Sequence, residues 1–229
     1  MEKNFIILAG GQGTRLREVM GAQNMQKCLI SLDGKRPHLI NLISDLLSQN
    51  QQVYLALSHG SEAVIESLKE HGLFDCVNLD VSPELLGTGG AALAVMKKCE
   101  LDEAVVINGD TIYSKKILQN IITYSINASL TAFVCDFERD NHKEGEFGQW
   151  NIENSEYKYG TYQSGNLLDT GILSVTLTVL ESLKQLKFPV QKVFSSENIR
   201  DIINIQKIDG DFYDFGTPYR LKLHRKSIS

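Results

Sequence analysis

The chain has 229 residues, of which 42% are hydrophobic and 22% are charged, and its formal net charge is -5. This composition is typical of a folded globular protein, and the acidic balance argues against a broad nucleic-acid surface. No apolar run approaches the length of a membrane span, and the N-terminus lacks the layout of a signal peptide. The four cysteines form no C-x-x-C pair, which favours free thiols. We therefore expect a cytoplasmic protein without nucleic-acid or membrane partners.

The first predicted element is a buried strand from Asn4 to Ala9, which ends in the glycine loop GGQGTRL at residues 10–16. Glycines leave backbone N–H groups free to face an anion, and the Arg15 guanidinium suits phosphate oxygens. A Walker loop would need Lys and Ser or Thr after its last glycine, and a dinucleotide loop would need glycine at Leu16. A phosphate loop of another kind and a plain tight turn are the interpretations that remain.

Predicted helices and strands alternate between residues 37 and 135, which is typical of βαβ units on a parallel sheet. Pro37 is expected in the first turn of one helix, and Ser61 is expected to cap the next. In such sheets ligands bind at the carboxyl ends of strands, so residues 10–15, 82–90 and 108–110 are expected to line one crevice. The strands are predicted at Val53 to Leu57, Val77 to Val81, Ala104 to Ile107 and Leu130 to Cys135.

From residue 137 the sequence predicts antiparallel structure, because tyrosines, a tryptophan and Gly/Asn punctuation cluster at residues 147–162. A strand is predicted from Leu167 to Val175, and helices are expected from Val179, from Ser196 and after the Thr217-Pro218 pair. The pair Asp209-Gly210 predicts a hairpin turn between short strands at residues 206–208 and 212–213. We expect a single domain over residues 1–229.

The loop at residues 10–16 resembles the signature of the sugar-1-phosphate nucleotidyltransferases, in which it wraps a nucleoside triphosphate. In that family a lysine bracketed by prolines follows, and here Lys27 stands at that place between Gln26 and Cys28. The alternative for Lys27 is a solvated surface lysine. The resemblance implies that Arg15 and Lys27 are catalytic.

A second glycine loop, GTGG at residues 87–90, matches the loop of that family over the nucleobase, in the version of heptose 1-phosphate and mannose 1-phosphate guanylyltransferases. Its alternative is a helix that starts on glycine. Ser82 stands where relatives often place a Gln or Glu that reads the base. The nucleotide contacts that the resemblance implies are Leu8, Ala9, Gly10, Gly11, Gly13, Thr14, Ser82, Glu84, Gly87, Thr88, Asn108 and Asp110.

Two aspartates are candidate metal ligands. Asp110 follows a buried strand, where the pair Asn108-Gly109 alone would predict only a turn. The family takes its second ligand from a late Asp-Ile-Gly-Thr-Pro segment, which DFGTP at residues 214–218 matches in all but one place. A turn beside a helix is the alternative for Asp214. Two carboxylates with phosphate oxygens and water suit Mg²⁺, which is the expected cofactor.

The sugar contacts come from two shorter matches. The Asn-x-Gly-Ile stretch of the family corresponds to DTGI at residues 169–172, and its upstream Glu-Lys pair corresponds to Tyr157-Lys158. The replacements leave open an altered sugar or a different alignment. The sugar-binding residues that the resemblance implies are Gly148, Lys158, Asp169 and Thr170.

As a whole, the resemblance implies a three-layer α/β/α Rossmann-like fold with a mainly parallel sheet and an antiparallel sugar-binding insertion. Residues 1–136 would be the nucleotide-binding half and residues 137–229 the sugar-binding half. The implied reaction joins a nucleotidyl group from an NTP to a sugar 1-phosphate and releases pyrophosphate, for surface polysaccharide synthesis, with GTP and heptose or mannose 1-phosphate favoured. Alternatives are cytidylyl or thymidylyl transfer to another sugar or to a non-sugar phosphate, and an idle nucleotide-sugar sensor. Relatives often form dimers, but the sequence itself gives no reason for one.

Overall fold

The computed structural model describes residues 2–11, 13, 26–31, 34–136, 149–153, 156–160, 167–195, 202–215 and 221, with the backbone alone at 151–153, 156–158, 160 and 195. The strands are β1 (Asn4–Leu8), β2 (Gln52–Leu57), β3 (Asn78–Val81), β4 (Glu103–Asn108), β5 (Thr111–Tyr113), β6 (Leu130–Asp136), β7 (Gln149–Glu153), β8 (Glu156–Gly160), β9 (Leu167–Thr176), β10 (Ile203–Lys207) and β11 (Phe212–Asp214). The helices are α1 (His38–Ser48), α2 (Ser61–Glu70), α3 (Gly87–Lys98), α4 (Lys115–Thr123), α5 (Leu177–Ser182) and α6 (Lys192–Ser195), with 3-10 turns at Lys27–Leu29 and Phe74–Cys76.

The main sheet has the strand order β10-β6-β9-β4-β1-β2-β3, and the β7–β8 hairpin attaches to β9. Strands β4, β1, β2 and β3 are parallel to one another. Strand β9 runs antiparallel to both β4 and β6, and lies between them. A separate antiparallel pair joins β5 to β11. The predicted α/β fold with a mainly parallel sheet is confirmed, and the two predicted halves of the chain share that sheet.

The central strand β1 is buried on both faces, which explains its continuous apolar sequence. Phe5 and Ile7 pack into one core with α1, α2 and α4, whereas Ile6 packs into the other core with α3, α5 and α6. Because alternate side chains of a strand point to opposite faces, these two cores place helices on both sides of the sheet. The result is the expected α/β/α layering.

Three local predictions are wrong. Pro37 is the N-cap residue before His38 and therefore precedes the first turn of α1. Ser61 is the first residue of α2 and not its cap, since Gly60 holds the N-cap position in a left-handed conformation. The hairpin across Asp209-Gly210 is also wrong, because β10 pairs with β6 in the main sheet while β11 pairs with β5. The chain therefore changes sheets at this turn. Strand β10 covers the free edge of β6, where its register starts with Ile203 opposite Leu130.

Some predicted elements lie outside the described residues. These are the helix after the first glycine loop, most of the helix from Ser196 and the start of the helix after Thr217-Pro218. Over the part of the chain that the structure does describe, no helix is both long enough and apolar enough to cross a bilayer.

Candidate active site

A cavity of about 570 Å³ lies at the carboxyl ends of β1, β2, β3 and β4. The loops that follow these parallel strands form most of its wall, as the strand-end rule predicts. The segments at residues 10–15, 82–90 and 108–110 are thus brought to one crevice, in so far as they are described. The residues of the predicted nucleotide set that line the cavity are Leu8, Ala9, Gly10, Gly11, Ser82, Glu84, Gly87, Thr88, Asn108 and Asp110.

Three of the five charged residues that line this cavity are Lys27, Asp110 and Asp214, and the other two are Asp80 and Glu84. The Lys27 ammonium forms an ion pair with Asp110 directly after β4, with 2.5 Å between Nζ and Oδ2. Asp214 reaches the same place because β11 pairs with β5, which sets it opposite Thr111. The Phe215 N–H also donates to the Asp110 carbonyl over 3.3 Å. Lys27, Asp110 and Asp214 thus line one cavity, although they are far apart in the sequence.

The two carboxylates fit the expected divalent cation. Asp110 and Asp214 offer hard oxygen ligands from neighbouring strands, which is the donor chemistry that Mg²⁺ prefers. No group of three or more His, Cys, Asp or Glu side chains among the described residues is placed to hold a metal ion. A metal bound here would therefore take its other ligands from substrate phosphates and water.

The first glycine loop packs against the end of β2 at Gly10, where a Cβ would lie 2.9 Å from the Ser58 nitrogen, and it is open at Gly11. The Ala9 N–H donates to the Ala56 carbonyl at 3.0 Å, which holds the start of the loop against β2. A Cβ added at Gly11 would meet no atom of the described residues within 4 Å, and Gly13 has a φ of 63°. Thr14 and Arg15 lie outside the described residues. The described part of the loop therefore leaves room for a ligand.

The second glycine loop contacts its own chain instead. The Phe188 carbonyl accepts hydrogen bonds from the N–H groups of Gly89 and Gly90 at 3.0 and 3.2 Å. A Cβ at Gly89 would lie 2.2 Å from the Phe188 ring. The Thr88 hydroxyl oxygen accepts from the Val190 N–H at 2.8 Å. The amides at this end of α3 are thus occupied by residues 188–190, and Gly87 and Thr88 are the part of the loop that lines the cavity.

Ser82 is engaged within its own loop. Its hydroxyl donates to the Glu84 carbonyl at 3.1 Å and accepts from the Glu84 N–H at 3.3 Å. This turn leaves the Glu84 side chain in the cavity wall, exposed to solvent. The predicted base-reading position thus carries a short side chain, with the Glu84 carboxylate two residues further on.

Five polar residues of the cavity wall were not predicted. Two of them belong to strands, Asp80 to β3 and Thr111 to β5. Ser58 follows β2, and the strand-end rule could have found it. Gln191 enters the wall because residues 188–190 pack on the second glycine loop. Gln26 lies in the wall beside Lys27 and is 3% exposed. No sequence signal marks the two glutamines, since their places depend on contacts between distant loops.

The structure does not bring Asp169 or Thr170 into the cavity. Burial raises the pKa of Asp169 to about 6, although hydrogen bonds from the Gly171 N–H and the Tyr159 hydroxyl act in the opposite direction. These two bonds measure 2.9 and 3.1 Å. The Thr170 hydroxyl is buried and donates to the Phe133 carbonyl at 2.7 Å.

The segment nevertheless lies beside the site. A Cβ at Gly171 would be 2.3 Å from the Asn108 amide nitrogen, so residues 169–171 lie behind Asn108. Gly148 and the side chain of Lys158 are outside the described residues. The sugar contacts therefore stay a prediction.

A mainly parallel α/β sheet with a cavity at the carboxyl ends of its strands is the architecture in which this class of proteins binds its ligands. Comparison with known proteins narrows the class. A family model described as nucleotidyl transferase matches residues 4–159. A D-glycero-α-D-manno-heptose 1-phosphate guanylyltransferase from Campylobacter jejuni is 27% identical over 220 residues, which cover 93% of this chain and 94% of that protein. A protein of the same description from Aneurinibacillus thermoaerophilus is 33% identical over 132 residues, or 55% of each chain.

The fold has solved counterparts. The crystal structure of HddC from Yersinia pseudotuberculosis in complex with GMP-PN superposes with a TM-score of 0.78 and 23% identity, over 99% of this chain and 100% of that chain. An inositol-1-phosphate CTP transferase from T. maritima gives a TM-score of 0.72 at 19% identity, over 97% of this chain and 94% of that chain. The chain belongs to the nucleotidyl transferase family of enzymes, as the family model over most of its length shows.

Proposed function

We propose that the protein transfers a nucleotidyl group from a nucleoside triphosphate to a sugar 1-phosphate, with GTP and heptose or mannose 1-phosphate as favoured substrates. The observation that carries the proposal is the meeting of Lys27, Asp110 and Asp214 in a cavity that also borders the open first glycine loop. Membership of the nucleotidyl transferase family supports the reaction. The two relatives described as heptose 1-phosphate guanylyltransferases support the choice of substrates.

The proposed reaction needs no covalent enzyme intermediate. An oxygen of the sugar 1-phosphate attacks the α-phosphorus, and the bond to the pyrophosphate oxygen breaks, so that pyrophosphate leaves with the electron pair. The attacking oxygen is already ionised at neutral pH, and a general base is therefore not required. Catalysis would come from orientation, which supplies roughly 7–11 kcal/mol in favourable cases, and from charge neutralisation.

In this proposal the cation of Lys27 lies between the α-phosphate and the attacking phosphate. Its ammonium has three N–H donors, and Asp110 accepts only one of them, so the others remain for phosphate oxygens. Arg15 and the loop amides up to Thr14 would neutralise the leaving pyrophosphate. Asp110 and Asp214 would hold Mg²⁺, which supplies positive charge to phosphate oxygens when it is bound.

Glu84 favours guanine among the bases. A carboxylate can accept two parallel hydrogen bonds, and guanine presents two adjacent donors, its N1–H and its 2-amino group. Uracil and thymine present a single N–H between two carbonyl oxygens, which a carboxylate would repel. We propose that Glu84 performs the base reading that the short Ser82 side chain cannot reach.

A pyrophosphate-release screen tests the proposal. Four nucleoside triphosphates and ITP, which lacks the 2-amino group, are each paired with a panel of sugar 1-phosphates. We expect GTP with a heptose or mannose 1-phosphate to give the fastest release, and Arg15→Ala to slow it by orders of magnitude. If pyrophosphate is released only with a non-sugar phosphate, the sugar 1-phosphate is not the acceptor, and that part of the proposal is wrong. Nucleotide binding by calorimetry without turnover of any pair would contradict the enzymatic proposal and favour a sensor.

The cofactor has its own test, since chelation by EDTA should abolish pyrophosphate release and added Mg²⁺ should restore it. Unchanged turnover in EDTA would contradict the roles of Asp110 and Asp214 as metal ligands. A cytoplasmic location, a role in surface polysaccharide synthesis and a homodimer stay predictions.

A further inference from the structure

Gln26 is a buried polar residue with an incomplete hydrogen-bond set. The side chain is 3% exposed, and its Nε2 donates to the His59 carbonyl at 2.8 Å. No donor among the described residues reaches its Oε1, which is itself buried.

The Gln26 amide is fixed in place by the loop after β2. Gly60 has a φ of 69°, and a Cβ at this position would lie 1.6 Å from Nε2 and 2.5 Å from Cδ of Gln26. The side chain therefore occupies the space that the missing Cβ leaves open. Together with the bond to His59, this contact restricts the amide to one position.

The backbone of Gln26 starts the turn that carries Lys27. The Gln26 carbonyl accepts from the Leu29 N–H at 3.0 Å, and the Lys27 carbonyl accepts from the Ile30 N–H at 3.0 Å. On the other side of Lys27, Cys28 is 3% exposed and packs into the core. Burial raises the pKa of the Cys28 thiol to about 12, so it stays a neutral packing group. Lys27 is thus flanked by two buried side chains, while its own ammonium reaches Asp110.

We propose that Gln26 is a positioning residue: its amide, held between His59 and Gly60, fixes the turn that presents Lys27 to Asp110 and to the substrate phosphates. A lysine side chain is long and flexible, so the place of its charge depends on how firmly its backbone is held. Small misplacements of a charged group in an active site reduce turnover strongly. The effect on turnover rests on the proposed nucleotidyl transfer.

A double-mutant cycle tests the coupling between Gln26 and Lys27. Gln26→Ala should lower kcat by about tenfold or more, with a smaller change in KM for the nucleotide. In a Lys27→Ala background the same substitution should cost nothing further, because the residue that it positions is gone. An equal loss in both backgrounds, or no loss in either, would overturn the proposal, since a merely structural role acts without regard to Lys27.

Two glycines provide a test that leaves Gln26 in place. Gly60→Ala drives a Cβ into the Gln26 amide, whereas Gly72→Ala carries the same backbone strain, with a φ of 68°, and meets no atom within 4 Å. We expect Gly60→Ala to lose kcat as Gln26→Ala does and Gly72→Ala to keep it. Equal kcat values for the two glycine variants would contradict the proposal. Thermal melts of each variant report the folded fraction, to which the rates are normalised.

Hydrogen exchange separates this inference from the proposed function. The amides of Leu29 and Ile30 close the turn, and they should exchange faster in Gln26→Ala and Gly60→Ala than in the wild type or Gly72→Ala. This readout needs no turnover, so it stands even if no substrate pair releases pyrophosphate. Unchanged exchange at these amides in both variants would overturn the positioning role.

Discussion

The two glycine loops look alike in sequence and differ in what they contact. The first loop leaves open space at Gly11, where an added Cβ would touch no atom in the part of the chain that the structure describes. The second loop is covered by its own chain, because the Phe188 carbonyl binds two of its amides and the Phe188 ring fills the space beside Gly89. A glycine-rich segment at the start of a helix is therefore not by itself a ligand site. Here Gly10 and Gly89 both make room for neighbouring segments, at Ser58 and Phe188, whereas Gly11 borders open space among the described residues.

The contacts of the second loop also explain how the second half of the chain reaches the cavity at the carboxyl ends of the strands. Residues 188–190 pack on the second loop, and the next residue, Gln191, lines the cavity. The second loop thus joins the two halves of the chain, while the first loop borders the charged residues at the end of β4. Substitutions in the two regions should separate turnover from stability.

The largest effect is expected opposite the first loop. Asp110→Asn removes the carboxylate that pairs with Lys27 and the proposed metal ligand, but no core packing. We expect kcat to fall by about a hundred- to a thousand-fold, with little change in melting temperature. Asp209→Asn is the matched control, since Asp209 forms an exposed ion pair with Lys116 at 3.3 Å. A loss of activity that merely follows a loss of folded protein would contradict the prediction.

Alanine substitutions in the two glycine loops should have opposite effects. One should lower the free energy of unfolding, and the other should lower turnover. Gly89→Ala places a Cβ 2.2 Å from the buried Phe188 ring, and overpacking of this kind costs roughly 1–3 kcal/mol of unfolding free energy. Gly11→Ala meets open space, so its unfolding free energy should stay within about 0.5 kcal/mol of the wild type while turnover falls. Urea unfolding and pyrophosphate release measure the two quantities. The comparison fails if Gly11→Ala is the less stable variant.

Asp169 belongs to a buried segment that does not line the cavity, and here we expect an effect on stability. Burial raises its folded pKa to about 6 from an ordinary value of 3.8. Because the folded protein holds this proton more tightly than the unfolded chain, the stabilisation is complete below pH 3.8 and is lost as the pH rises to about 6. Relative to Asp169→Asn, the wild type should lose roughly 1–3 kcal/mol of unfolding free energy over this window. Urea titrations from pH 4 to about 7 measure this difference; a constant difference would show that Asp169 does not titrate differently on folding.

The smallest effect is expected at Thr88. Thr88→Val removes the oxygen that accepts from the Val190 N–H, which should cost about 1 kcal/mol of unfolding free energy. Thr88→Ser keeps that oxygen and serves as the control. Melting temperatures of the two variants measure the difference. Equal values would show that this hydrogen bond does not stabilise the packing of residues 188–190.

The sequence predicts the central sheet well, because strands buried on both faces appear as continuous apolar runs between amphipathic helices. Strand β5 was missed, since three residues carry too little periodicity to be recognised. The predicted pairing of β10 is wrong because the turn signal at Asp209-Gly210 is local. It does not reveal that the edge of β6 is available for pairing with β10.

The charged part of the site could be predicted, because Lys27, Asp110 and Asp214 each belong to a segment that matches a family pattern. Gln26 and Gln191 could not, because one depends on the loop around Gly60 and the other on residues packed against Gly89. The structural requirement for glycine in the second loop could not be predicted from the sequence either. The contact that requires them comes from a segment far along the chain.

The place of β9 has a consequence for how the protein is made. On a ribosome β4 and β6 emerge before β9, yet in the folded sheet they are separated by it. The strands of the sheet therefore cannot pair in the order in which they are synthesised. The edge of β6 that pairs with β9 stays unpaired until residue 176 has emerged. Domains are generally thought to fold as units during translation. A chain truncated at residue 136 lacks β9 and β10, so one edge of β4 and both edges of β6 would be unpaired and prone to pair with other chains.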